Sequence, residues 1–211
     1  MTTRGRLIAL EGGEGAGKST QASRLAAAIG AQITREPGGS RLGERVRQLL
    51  LDPEASEAAG RIDPRAELML MLAARAQHVS ELIRPHLESG RDVVVDRYSG
   101  STLAYQGYGR GLPIEEVRHA CDLATGGLWP DLTLLLDVPV EVGAGRKARA
   151  GGEPDRIEAE RDGFHMRVRD GFLVEAAADP DRWVVIDGTL EPSEVEKLVR
   201  AAVDQVLGAR A

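Results

Sequence analysis

The segment Gly12-Gly13-Glu14-Gly15-Ala16-Gly17-Lys18-Ser19 constrains this chain more than any other. It fits the pattern G-x-x-x-x-G-K-[ST] and stands between an apolar run at residues 6–10 and a helical pattern that begins near Lys18 and Thr20. Glycines at this density let successive backbone amides turn inward around an anion without Cβ clashes. A helix that starts directly behind them points its positive end at the same spot. Lys18 supplies a compact charge for the outer phosphates of a nucleotide such as ATP, and the Ser19 hydroxyl a ligand for Mg²⁺.

Further apolar runs follow at Gln32–Arg35, 92–96, Leu132–Asp137 and Trp183–Asp187, alternating with helical patterns. The last three are continuous rather than alternating, which predicts strands covered on both faces. The expected architecture is an α/β, P-loop NTPase fold: a parallel five-stranded sheet flanked by helices and joined by right-handed crossovers. Asp63-Pro64 predicts a helix start with proline at its first position. Asp155-Arg156-Ile157-Glu158 and Ser193-Glu194-Val195-Glu196 read as capping boxes. Residues 143–152, rich in glycine and basic side chains, predict a mobile excursion rather than a domain boundary. The chain therefore reads as a single domain, 1–211, with a short arginine-rich lid at about 143–157.

Composition narrows the function. The formal charge of −6 argues against a nucleic-acid coat or a polybasic membrane binder, so neither partner is expected. The lone cysteine, Cys121, forbids an intrachain disulfide and is expected to be buried. No apolar stretch approaches the ~18 residues of a membrane helix, and the start, Met1-Thr2-Thr3-Arg4, has no signal-peptide pattern. A cytoplasmic protein is the expectation. His78, His86, His119 and His165 show no metal-ligand spacing. The sequence contains no asparagine, so the Asn-Lys-x-Asp reader of guanine is excluded. The third strand ends in Asp96-Arg97 where a water-activating ATPase would carry Asp-Glu. An arginine there suits an anionic acceptor beside the donor phosphates. Asp96 can hold a magnesium-bound water, and Tyr105 can pack on a sugar or base.

Taken together, these motifs resemble the bacterial thymidylate kinase family. The likeness runs through the loop Glu11 to Thr20, Thr34-Arg35-Glu36-Pro37-Gly38-Gly39, Ala73-Ala74-Arg75-Ala76-Gln77-His78, Asp96-Arg97-Tyr98, Ala104-Tyr105-Gln106-Gly107 and Asp155-Arg156-Ile157-Glu158. It implies ATP- and Mg²⁺-dependent phosphorylation of dTMP to dTDP by a homodimer packed through helices. It also implies roles. Arg97 grips the dTMP phosphate with help from Arg47. Arg75 hydrogen-bonds a thymine keto oxygen, and Thr102 sits near the base edge. Glu14 faces the sugar hydroxyl. Glu36, a cis Pro37, Tyr105 and Gln106 belong to the acceptor side. Adenine lies near Asp187-Gly188-Thr189. The phosphate loop offers Ala16 and no arginine, so the lid (Arg146, Arg149, Arg156, Arg161) supplies the cations. Arg156, at the start of a helix capped by Asp155, is to reach the transferring phosphoryl, with glycines 143, 145, 151 and 152 as hinge. One departure is Met71, where the family places an aromatic ring against thymine; a polarisable thioether can still cover a ring.

The acceptor is a phosphate that is mostly dianionic at neutral pH, so no general base is required. Two other readings stay open on sequence. A deoxynucleoside kinase would use Glu36 as base toward a sugar hydroxyl. A non-catalytic module would sense ATP for a partner.

Overall fold

Alternate residues of each central strand face opposite layers, and both layers are apolar. In this computed structural model, which describes residues 4–151 and 154–208, five parallel strands form one sheet in the order β2-β3-β1-β4-β5. They are β1 (Leu7–Glu11), β2 (Gln32–Arg35), β3 (Val93–Asp96), β4 (Leu132–Asp137) and β5 (Trp183–Asp187). Ile8 and Leu10 of β1 join Val94, Leu134 and Leu136 on one face. There they pack against α1 (Lys18–Ile29) and the carboxyl-terminal helix, through Leu25, Val195 and Val199. Leu7, Ala9, Val93 and Val95 face the other side, against Val79, Ile83 and Leu87.

α1 is followed by α2 (Arg41–Leu51), α3 (Pro53–Ala59) and α4 (Pro64–His78). α4 begins as expected, with Asp63 accepting from the Arg65 amide and Pro64 in the first turn. It passes through a π-helical stretch, Val79–Ile83, into α5 (Arg84–Glu88). After β3 come α6 (Ser99–Thr102), a second π-helical stretch, Leu103–Gly109, and α7 (Ile114–Thr125). α8 (Val140–Ala150), α9 (Asp162–Ala178) and α10 (Pro192–Leu207) complete the chain's helices among the described residues.

Several boundaries differ from expectation. β1 starts at Leu7 because the Arg6 amide is taken by the Asp92 carboxylate (2.7 Å). β3 starts at Val93. β5 is an edge strand with one face open, and Val185 is half exposed, so its apolar run did not mean cover on both sides. The excursion at 143–152 is largely helix: α8 runs through Gly143 and Gly145. The Asp155 box does form, with Asp155 Oδ1 accepting from the Ile157 and Glu158 amides and Glu158 Oε2 accepting from the Asp155 amide. It closes turns rather than a helix, and α9 starts only at Asp162. Tertiary partners hold this segment, Arg156 on Glu67 and Glu160 on Arg110, two residues that are themselves paired. The Ser193 box is not made. Pro192, pre-set for the first helical turn, moves the start of α10 back to a Glu191 cap without a side-chain bond. Met1–Thr3 and the hinge residue Gly152 lie outside the described residues.

Candidate active site

All five strands end in a charged residue at the same edge: Glu11, Arg35, Asp96, Asp137 and Asp187. Apolar residues occupy the interior of the sheet and charge collects at its mouth, where open α/β sheets bind ligands. The loop between β1 and α1 lies there. Gly15 and Gly17 both have positive φ, +67° and +87°. Lys18 is buried and its Nζ donates to the Gly13 carbonyl (2.6 Å), curling over the loop. Burial and the neighbouring Arg97 guanidinium bring the Lys18 ammonium down to about 8, an effect that Glu14 only partly offsets.

Arg97 joins the loop to the segment that follows β3. It is the one non-glycine residue with positive φ (+68°) among the described residues, a conformation bulky side chains rarely adopt. Its amide donates to the Leu10 carbonyl (3.0 Å). Its guanidinium donates to Gly12 O (2.9 Å), Ser101 Oγ (3.1 Å) and Glu14 Oε1 (2.6 Å). Ser101 in turn donates to Glu11 Oε2 (2.5 Å), a fully buried carboxylate whose other oxygen accepts from the Tyr98 and Ser101 amides. Tyr105 OH also donates to Glu14 Oε1 (2.7 Å), and the Arg97 guanidinium lies 5.0 Å from the Tyr105 ring centroid. Burial would raise the Glu14 carboxyl, but Arg97 and Lys18 draw it down to about 2.

A second buried cluster faces the same cavity of about 300 Å³. Arg75 Nε donates to Glu36 Oε2 (2.6 Å), its Nη2 to the Tyr98 carbonyl (3.0 Å), and its Nη1 reaches Cys121 Sγ at 3.7 Å. That leaves one N–H on each terminal nitrogen for a ligand. His78 Nδ1 donates to the other Glu36 oxygen (2.9 Å), since a carboxylate only accepts, and His78 Nε2 pairs with Thr34 Oγ1 (2.8 Å). Burial pushes the Glu36 carboxyl up, yet Arg75 and His78 win and hold it below its usual range. With both oxygens committed, Glu36 is poorly placed to act as a base. Met71 and Thr102 line the same cavity, and Arg47 reaches the Pro37 carbonyl (3.2 Å) beside the cis Glu36–Pro37 bond. Gln106 lines it too, its amide held by Glu67 (2.8 Å).

Ser19 Oγ donates to Asp96 Oδ2 (2.5 Å), while Asp96 Oδ1 is shielded from solvent with no hydrogen-bond partner among the described residues. A hydroxyl beside a half-satisfied carboxylate is a hard-oxygen set that suits Mg²⁺. Among the described residues, no three His, Cys, Asp or Glu side chains group to hold a metal alone. A cation here would be shared with phosphate.

The lid residues are dispersed. Arg146 donates to the Gly188 carbonyl (2.8 Å) and the Thr189 carbonyl (3.2 Å), beside the turn after β5. Arg149 is exposed in the last turn of α8. Arg156 is not at the cavity. Its Nε donates to the Leu50 carbonyl (2.8 Å) and its Nη2 to Glu67 (2.5 Å), a carboxylate only 1% exposed. Arg156 was expected to reach the transferring phosphoryl; Glu67 draws it the other way, and no helix starts at it. Gly143 is likewise no free hinge. A Cβ there would stand 2.2 Å from the Glu14 carbonyl oxygen. Residues given no role from sequence include Glu11, Ser101, Glu67 and Lys147. Lys147 carried a signal: it is one of three lysines in a chain whose other cations are arginines.

The phosphate loop and the buried arginine cluster share one cavity. The family model described as thymidylate kinase matches residues 10–199. The chain belongs to the thymidylate kinase family. Among its relatives are thymidylate kinases of Nitratidesulfovibrio vulgaris, 50% identical over 97% of this chain and 98% of that protein, and of Thermomicrobium roseum, 49% identical over 95% of each. A third, from Deinococcus radiodurans, is 48% identical over 96% of this chain and 98% of its own. The crystal structure of thymidylate kinase from Ehrlichia chaffeensis superposes with a TM-score of 0.73 at 32% identity, covering 95% of this chain and 99% of that one. Family membership and a shared five-stranded parallel fold are thus established together.

Proposed function

We propose that this thymidylate kinase family member transfers the γ-phosphoryl group of ATP to dTMP, giving dTDP and ADP. The observation that carries the reading is one cavity lined both by Lys18 and Ser19 of the phosphate loop and by Arg97, Arg75 and Thr102. Donor and acceptor ends meet at Arg97, which touches the loop carbonyl of Gly12.

The chemical problem is electrostatic, because two polyanions must approach in line. Lys18 and Arg97 place fixed positive charge where repulsion would otherwise build. Glu11 and Ser101 hold the Arg97 guanidinium from behind, so little reorganisation is needed when the acceptor phosphate arrives. Arg75, braced by Glu36 and His78, offers its two spare N–H groups to the pyrimidine edge. Met71 lies one helical turn before it on α4 and covers the ring. Ser19 and Asp96 would hold Mg²⁺, which would supply positive charge to offset that of the donor phosphates. Arg146 and the turn at Gly188 and Thr189 flank the adenine end. The lid at about 143–157 closes over both substrates and excludes water. We place the enzyme in the cytoplasm as a homodimer. The buried, unpaired Cys121 agrees with a reducing compartment. Among the described residues no helix is long and apolar enough to cross a membrane.

A coupled ADP-release assay over dTMP, dUMP, dCMP, dGMP, AMP and thymidine tests the reading. dTMP is expected to give the fastest turnover. Faster turnover of thymidine would make it a nucleoside kinase, against the committed state of Glu36. ATP binding with no ADP from any acceptor would make it a sensor.

A further inference from the structure

We propose that Lys147, rather than Arg156, is the lid cation that meets the transferring phosphoryl group, and that Glu158 holds its ammonium until the nucleotides arrive. The inference deepens the kinase reading and rests on it.

Placement comes first. The start of α8 lies directly on the phosphate loop. A Cβ on Gly143 would stand 2.2 Å from the Glu14 carbonyl oxygen, and one on Gly15 would stand 2.3 Å from the Gly143 carbonyl oxygen. Residues four apart share a helix face, so Lys147 sits one turn beyond that contact on the loop side. It lines the acceptor cavity together with Glu14, Lys18 and Arg97. It also lines an adjoining cavity of about 410 Å³ bounded by Gly13 and Glu14. The other lid cations are committed or remote. Arg156 is held by Leu50 and Glu67, and Arg146 by the Gly188 and Thr189 carbonyls. Arg149 and Arg161 are exposed.

Lys147 is also free to move. Its Nζ lies 2.6 Å from Glu158 Oε1, and its side chain is 47% exposed. The pair is open on its lysine side, the Glu158 side chain being 14% exposed, so the ammonium can exchange that carboxylate for a phosphate oxygen. A compact charge on a flexible four-carbon stem suits such a swing better than a planar fork. Glu158 itself stays anchored by the Asp155 amide (3.3 Å). On substrate binding the ammonium leaves Glu158 for a non-bridging oxygen of the γ-phosphoryl group. It keeps its proton throughout. The bond from that phosphorus to the ADP oxygen breaks while the bond to a dTMP phosphate oxygen forms.

Initial rates with ATP and dTMP, each varied, test this in Lys147→Met, Lys147→Arg, Glu158→Gln and Arg156→Met. Lys147→Met is expected to lower kcat by about 10²-fold or more, the usual cost of one charge-stabilising donor. KM for dTMP and the melting temperature should hold, and Lys147→Arg should recover much of the loss. Glu158→Gln frees the lysine and should keep the turnover that Lys147→Met loses. Arg156→Met should show mainly a lower melting temperature. Full kcat in Lys147→Met, or a Glu158→Gln loss as large as that of Lys147→Met, overturns the assignment and leaves the pair as a surface clasp. A wild-type enzyme that passes no phosphoryl group to dTMP overturns the kinase reading itself, and this assignment with it.

Discussion

Glu14 sits between two cations and a phenol, and its ionisation is tied to folding. Its carboxyl drops from the ordinary 4.5 to about 2 in the folded chain, because Arg97 and Lys18 outweigh the cost of burial. Between those values the unfolded chain binds the proton and the folded chain does not. Stability from this group is therefore complete above about pH 4.5 and drains away as pH falls toward about 2. Urea midpoints measured across that window should fall with acid in the wild type, and less steeply in Glu14→Gln. Parallel slopes would show that Glu14 carries none of the acid sensitivity. Lys18 runs the other way. Its ammonium titrates near 8 in the folded chain, below its ordinary 10.5, so the folded state pays to keep it charged at neutral pH. That strain is relieved as pH rises between those values, or when a phosphate arrives to pair with it.

α8 shows how two glycines of one helix differ. Gly143 presses its backbone on Glu14, whereas nothing lies within 4 Å of a Cβ built on Gly145. Gly143→Ala must push the helix off the phosphate loop. We expect a loss of about 1–3 kcal/mol, as for other overpacked contacts, with a raised KM for ATP. Gly145→Ala fills open space in a helix interior and should stabilise by about 0.5–1 kcal/mol, with kcat intact. Thermal melts and ATP titrations of the pair check both. A kcat loss in Gly145→Ala would restore that glycine as a hinge. The motif at Asp155 shows a different limit. Its reciprocal bonds form as the spacing predicts, but bonds between neighbours do not by themselves extend a turn into a helix, and here Arg156 and Glu160 are held by Glu67 and Arg110 from elsewhere in the chain.

Glu67 ties three separate parts of the chain into one roof. From α4 it accepts from Gln106 and Arg110 of the segment after β3, and from Arg156 of the turn before α9. It is buried, and its removal takes a carboxylate from two partly buried guanidinium groups, leaving Arg156 with the Leu50 carbonyl and Arg110 with Glu160. Glu67→Ala is expected to cost about 3 kcal/mol, read as a lower denaturation midpoint, and to loosen the acceptor side through Gln106. An unchanged midpoint would mean that water replaces the carboxylate at no cost. Assembly belongs here too. α4 and α7 pack on each other, and each exposes a large apolar side chain, Met69 and Leu123. Sedimentation should give a mass of twice 22.6 kDa; a monomer at that mass alone would remove the dimer from the reading.

Arg75, in the interior of α4, was singled out only by the family resemblance, whereas the phosphate loop, the parallel five-stranded α/β layer and the Asp96-Arg97 end of β3 were legible in the linear chain. Each depends on local grammar: glycine spacing, continuous apolar runs and a charged residue where a strand ends. What the chain alone could not tell was which cation faces the cleft. Arg156 and Lys147 lie nine positions apart in one basic stretch, and the rarity of lysine marks Lys147 without saying which of the two faces the cleft. Their directions depend on Glu67 and Glu158, and Glu67 lies on α4, far away in sequence. The same holds for the bracing of Arg97 by Glu11 and of Arg75 by His78 through Glu36. A buried charge takes whichever partner folding brings within about 3 Å, and that partner is chosen by packing, not by neighbours along the chain.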